Sequence, residues 1–157
     1  MQTFIPHANM PLSAYVLDSK RLNKQLLEGR QIYQILAEGR TTGGWVNHPA
    51  VKMWRNYDNW LYLYLRNIKD ECVARGIKTE KNWDAIERMH EMNYNRGETA
   101  IMPPWYTDER VHQSHRFNLY KKDPEYYAHY YDVENVTCCE RCNYFWPTHT
   151  LTYNAEV

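Results

Sequence analysis

A chain of 157 residues with 43% hydrophobic residues, six Gly and seven Pro is long enough to bury a core of its own and has too little Gly and Pro for a disordered polymer. It opens without a basic segment followed by an apolar run, and no apolar stretch approaches the ~20 residues of a membrane span, so a soluble cytoplasmic protein without membrane contact is expected. The formal net charge is zero, unlike the strong basic excess of many nucleic-acid binders, yet through Asn56 seven basic residues stand against three acidic ones. A polyanion is therefore expected to meet the N-terminal third. Fourteen Tyr and six Trp against three Phe supply aromatics with a polar handle, which suit a half-wet binding surface as well as a core.

The first residues form a short arm containing Pro6 and Pro11. Asp18 or Ser19 then caps a first helix that stops near Gly39. Leu22, Leu26, Tyr33 and Leu36 make its apolar stripe, while Arg21, Lys24, Gln25, Glu28 and Gln31 follow helical spacing on another face. Spacing alone reads Glu28, four residues after Lys24, as half of a surface ion pair. The loop G-R-T-T-G-G-W-V-N-H leads to Asn47 or His48 with Pro49, a cap and first-turn pair for a long second helix. Val51, Trp54, Leu61, Leu65, Ile68 and Cys72 mark its buried face, and Gly76 ends it. A third helix runs from Lys81 to Asn93 with Trp83, Ile86 and Met89 inward, and Gly97 as its stop. A proline-stiffened loop precedes a fourth helix, capped by Thr107 or Asp108 and reaching Lys121. Asp123-Pro124 opens a short aromatic segment, and strand-like residues without clear period follow Asp132. The reading is an all-α single domain spanning 1–157, a compact helical bundle with irregular loops and an irregular cysteine-containing tail over 132–157.

In that tail Cys138, Cys139 and Cys142 put a C-x-x-C beside a third cysteine, with His149 downstream. Thiolates favour tetrahedral zinc, but one C-x-x-C supplies half a ligand set, so reduced thiols are the first reading and a structural zinc the second.

Several stretches jointly resemble one family. They are Met1-Gln2-Thr3-Phe4, Leu17-Asp18 through Arg21-Leu22 and Lys24-Gln25 to Glu28, and Asn47-His48-Pro49-Ala50-Val51 with Met53-Trp54. Glu71-Cys72 with Ala74-Arg75-Gly76, Pro103-Pro104-Trp105, and Ser114-His115-Arg116 with Leu119, Lys122, Asp123 and Pro124 continue the series. In order and spacing the chain resembles the pyrimidine-dimer DNA glycosylases of the phage endonuclease V type, and more closely their bacterial relatives opening with M-Q-T-F. The resemblance reaches about Tyr131.

It implies a compact all-α enzyme, monomeric, of bacterial or viral setting, that needs no cofactor and acts on double-stranded DNA with a damaged or modified pyrimidine. It further implies that an N-terminal α-amine attacks C1′ of the damaged nucleotide, assisted by an acidic residue on the first long helix, here Glu28. The chemistry suits those groups. An α-amine titrates near ~8 against ~10.4 for Lys, so a useful fraction of it is nucleophilic at neutral pH. A carboxylate beside it stabilises a cationic transition state and manages protons through ring opening and β-elimination.

The N-terminus departs from the phage pattern, in which the initiator Met is removed and Thr carries the amine. Gln2 is too large for ordinary Met removal, so the nucleophile is the amine of Met1, or Lys24, or a water. Arg21, Lys24, Arg30, Arg40 and Arg116 are candidate phosphate contacts, since Arg forks match phosphate oxygens. His48 and His115 stand in matched motifs, and Trp105 or the glycine-rich loop before His48 is a candidate to hold or wedge a flipped nucleotide. Two other readings remain open, a glycosylase for a different modified base and a non-catalytic nucleic-acid or protein-binding module.

Overall fold

The computed structural model describes residues 1–93, 99–131 and 144–147. Among them are seven helices and no strand: α1 Met10–Val16, α2 Ser19–Ala37, α3 Pro49–Trp54, α4 Asp58–Ala74, α5 Glu80–Asn93, α6 Glu109–Lys122 and α7 Pro124–Tyr127, with a 3-10 turn over Pro104–Thr107. The all-α expectation holds. No helix among the described residues is long and apolar enough to cross a membrane.

Helix α2 is the axis of the fold. Leu22, Leu26, Ile32, Tyr33 and Ile35 are buried on it, and it packs along α4 and α5. At Gly29 it packs tightly on α4, where a Cβ would stand 2.1 Å from Cδ2 of the fully buried Leu65. The missing side chain lets the two helices close together, and Glu28 next to it turns to the other side. As expected, α2 ends at Gly39 and α4 at Gly76, both with positive φ, and Asp108 caps α6 by accepting from the Arg110 amide. Asp18 precedes α2 but does not cap it. Its carboxylate takes the Tyr127 hydroxyl and the Arg21 guanidinium instead.

Two elements differ from the sequence reading. The N-terminal arm contains a helix, α1, with Asn9 as a cap accepting from the Leu12 amide and Pro11 in the first turn. The long second helix is two helices, because Asn56 takes φ 71° and breaks the chain between Trp54 and Asp58. Asn tolerates that left-handed conformation, and the apolar spacing of seven from Trp54 to Leu61 runs across the break unaltered, so periodicity alone conceals it. Gly97, the strand-like reading after Asp132, and Cys138, Cys139, Cys142 and His149 lie outside the described residues.

Candidate active site

The first five residues run without regular structure into the core. Gln2, Thr3, Phe4 and Ile5 are all buried. Buried backbone needs partners, and here side chains supply them. Gln25 on α2 grips two residues: its Oε1 accepts from the Phe4 amide at 2.8 Å and its Nε2 donates to the Gln2 carbonyl at 3.1 Å. Tyr64 of α4 donates to the Phe4 carbonyl at 2.8 Å. The Ile5 amide donates to His115 Nδ1 at 2.8 Å, and the Ile5 carbonyl accepts from His112 Nδ1 at 2.8 Å, both from α6. His112 Nε2 faces the Tyr106 carbonyl at 2.7 Å, so the ring bridges two backbone carbonyls. The Thr3 hydroxyl accepts from the Trp54 indole at 2.9 Å. Three helices and a Trp from a fourth thus hold one extended arm, and its free end is the α-amine.

That end emerges at Glu28. The Gln2 amide donates to Glu28 Oε2 at 3.1 Å, and one residue of backbone spans at most ~3.6 Å, which keeps the Met1 nitrogen within ~7 Å of the carboxylate. Among the described residues the amine itself makes no ion pair with Glu28; the ion-pair partner is Lys24 Nζ, at 3.3 Å from Oε1. Lys24 is 67% exposed and the Glu28 side chain 13%, so the carboxylate sits at the base of a cleft and the lysine at its lip. The cleft encloses about 300 Å³ between Met1, Gln2, Phe4, Gln25 and Glu28 on its floor and Lys20, Arg21, Lys24, Lys122 and Tyr144 around it. Four side-chain cations and the N-terminus surround one carboxylate, a field that draws a polyanion.

Two side chains report the electrostatics of this corner. His48 caps α3 through Nδ1, which accepts from the Ala50 amide at 3.1 Å. Burial lowers its pKa and the N-terminal ammonium lowers it further, opposed by Glu28. The expected capping role therefore holds for His48. Burial pushes the Tyr144 hydroxyl up to about 12. Its ring packs on Phe4 and His115 at 6.1 and 5.7 Å.

The sequence candidates divide into two groups. Met1, Arg21, Lys24 and Glu28 line the cleft, although Arg21 is already held by both Asp18 oxygens at 3.1 Å. The others are placed elsewhere or are spent inside the fold. Arg30 lies two residues past Glu28, hence on another face of α2, and its Nε is buried with no hydrogen-bond partner among the described residues. Arg40 pairs with Glu38 on the loop at 3.8 Å. Arg116 donates to the Pro6 carbonyl at 2.6 Å and pairs with Glu109, so it braces the arm. His115 is fully buried with its pKa pressed down to about 3 by desolvation; it holds the Ile5 amide as a neutral acceptor. Trp105 is 4% exposed, donates to the Met53 carbonyl at 2.8 Å and meets Trp54 edge-on, which makes it core.

Sequence reasoning passed over Gln25, Tyr64, Lys20, Lys122 and Tyr144 as site residues. Gln25 had a signal, since a helix face shared with Arg21 and Glu28 carries an amide that no surface needs. Lys122 and Tyr144 line the cleft although they lie about a hundred residues along the chain from α2, and no local pattern encodes that.

The helical fold thus presents its own N-terminus close to a carboxylate, under a cationic rim. Residues 1–85 match the family model described as pyrimidine dimer DNA glycosylase. That span is more than half of the chain and contains every floor residue of the cleft and three of its four side-chain cations. The chain belongs to the pyrimidine dimer DNA glycosylase family and is a DNA-repair glycosylase. Neither a curated protein nor a solved structure matches it.

Proposed function

We propose that this chain excises ultraviolet-induced pyrimidine dimers, or another altered pyrimidine, from double-stranded DNA and then cleaves the abasic strand, with the Met1 amine as nucleophile and Glu28 as its partner. The neutral amine adds to C1′ while the glycosidic electron pair leaves with the base, which takes up a proton. Loss of the amine proton and opening of the C1′–O4′ bond, with a proton delivered to O4′, leave an imine. Removal of a C2′ proton then expels the 3′ phosphate. Glu28 stabilises the cationic stages and relays these protons. Lys20, Arg21, Lys24 and Lys122 take the phosphates on either side, and no cofactor enters.

The observation that carries this reading is the Gln2 amide on Glu28 Oε2, because it ties the peptide unit next to the amine to the carboxylate. The test is borohydride reduction on a duplex with a single thymine dimer and on one with an abasic site, followed by peptide mapping. The expected result is a covalent adduct on the Met1 peptide, lost when the N-terminus is acetylated, and strongly reduced in Glu28→Gln. An adduct on Lys24 moves the nucleophile to the other amine near Glu28. Base release without any adduct assigns the attack to water, and binding of both duplexes without turnover leaves a binding module.

A further inference from the structure

Trp45 stands out on the loop before His48, outside the residues that line this cleft. It is 61% exposed, the one exposed tryptophan among the described residues, and its backbone takes φ 67°. A bulky residue is disfavoured in that left-handed region, and a turn alone is better served by glycine, as at Gly43 in the same loop with φ 106°. The His48 amide donates to the Trp45 carbonyl at 2.9 Å and closes the turn, so the strained conformation is held in place. An exposed indole kept where neither packing nor backbone preference wants it points to a role outside the fold.

Its surroundings say which role. The indole meets the His48 ring edge-on at 5.5 Å, His48 meets Trp146 at 6.0 Å, and Trp146 meets Tyr144 at 5.5 Å. Tyr144 lines the cleft with Glu28. These four rings form a continuous aromatic series that starts at the cleft and ends at Trp45 in solvent. From Gly39 to His48 the loop carries Arg40 and no carboxylate, so a phosphate backbone can approach it.

We propose that Trp45 is a base-stack wedge: its indole enters the duplex beside the damaged step and takes the stacking place of the nucleotide that moves toward the cleft. Flat aromatic or apolar side chains perform this task because opening a step loses stacking that a π-face restores without regard to sequence. The wedge rests on the proposed glycosylase function and extends it to the residue that holds the duplex open. It also gives the role to Trp45 in place of the buried Trp105.

The test compares Trp45→Gly and Trp45→Phe with the wild type on a duplex holding one thymine dimer and on the undamaged duplex, with 2-aminopurine beside the dimer as a reporter of unstacking. Trp45→Gly relieves the left-handed strain, so its melting temperature is expected to stay level or rise. Affinity for the dimer duplex is expected to fall about tenfold, the 2-aminopurine signal to be lost, and Trp45→Phe to restore most of both. Affinity for undamaged duplex is expected to change little. An unchanged ratio of damaged to undamaged binding in Trp45→Gly overturns the wedge while leaving the glycosylase reading intact. So does a lower melting temperature with equal losses on both duplexes, which assigns Trp45 to loop stability. A wild type that neither prefers nor cleaves the dimer duplex overturns both.

Discussion

Gln25 offers the sharpest separation of scaffold from chemistry, because it touches no substrate atom in the proposed reaction yet holds the arm that carries the amine. Gln25→Leu keeps volume and helix propensity but removes an acceptor from the Phe4 amide and a donor from the Gln2 carbonyl, both in buried backbone. The Tyr64 hydroxyl, which also donates to Gln25 Oε1 at 2.9 Å, keeps its bond to the Phe4 carbonyl and is not orphaned. A buried polar group left without a partner costs ~1–3 kcal/mol, so two of them predict a loss of roughly 3 kcal/mol. Urea denaturation reads that loss directly. Below the unfolding transition the variant is expected to bind duplex through its unaltered rim cations while borohydride trapping slows more than the binding does, since the arm no longer fixes the amine over Glu28. Wild-type trapping by a folded but destabilised Gln25→Leu would refute the idea that this clamp positions the amine. An unchanged urea midpoint would refute the hydrogen-bond accounting itself.

Removing rim charge should act on affinity and not on lesion preference. Lys20→Ala with Lys122→Ala takes away two exposed cations that pair with no carboxylate among the described residues, and the slope of log K against log salt should fall by about 1.8, equally for damaged and undamaged duplex. An unchanged slope would remove them from the phosphate path. His115 predicts acid sensitivity. Its pKa is 6.5 in an ordinary setting and about 3 in the fold, so between these values the unfolded chain binds the extra proton and stability falls as pH falls; above 6.5 the group has no effect. The loss should reach about 2 kcal/mol near pH 5, read by urea titration at each pH, and a His115→Gln variant that shows the same acid loss would place its origin elsewhere. Gly29→Val should destabilise strongly, because its side chain has to displace the buried Leu65, and calorimetry showing an unchanged melting point would contradict the close contact between α2 and α4.

The helices were legible where a local signal and a cap agreed. The first long helix, the stops at Gly39 and Gly76, and the Asp108 cap follow from propensities and from the left-handed freedom of glycine. The break at Asn56 escaped because hydrophobic spacing is blind to one residue of left-handed backbone. The Asn9–Pro11 start of α1 carried a cap signal that the two prolines of the arm masked. For the site, the face of α2 bearing Arg21, Lys24 and Glu28 was visible as a helical repeat, and three of the cleft's four side-chain cations belong to the basic first third of the chain.

Which cations and rings complete the site was decided only by the tertiary structure. Arg116 and His115 stand in a motif that reads as functional, and the fold turns both inward to hold Pro6 and Ile5. Trp105 and Trp45 are the same residue type, and only their burial separates a core residue from one in solvent. The sequence by itself determined what depends on near neighbours: helices, caps, and the carboxylate set among cations on one face. Tertiary structure decided what depends on segments far apart in the chain, above all that Gln25, Tyr64 and His115 draw the N-terminal arm into the core and leave its amine beside Glu28. Those bonds span up to 110 residues, and no local preference can specify a partner at that distance.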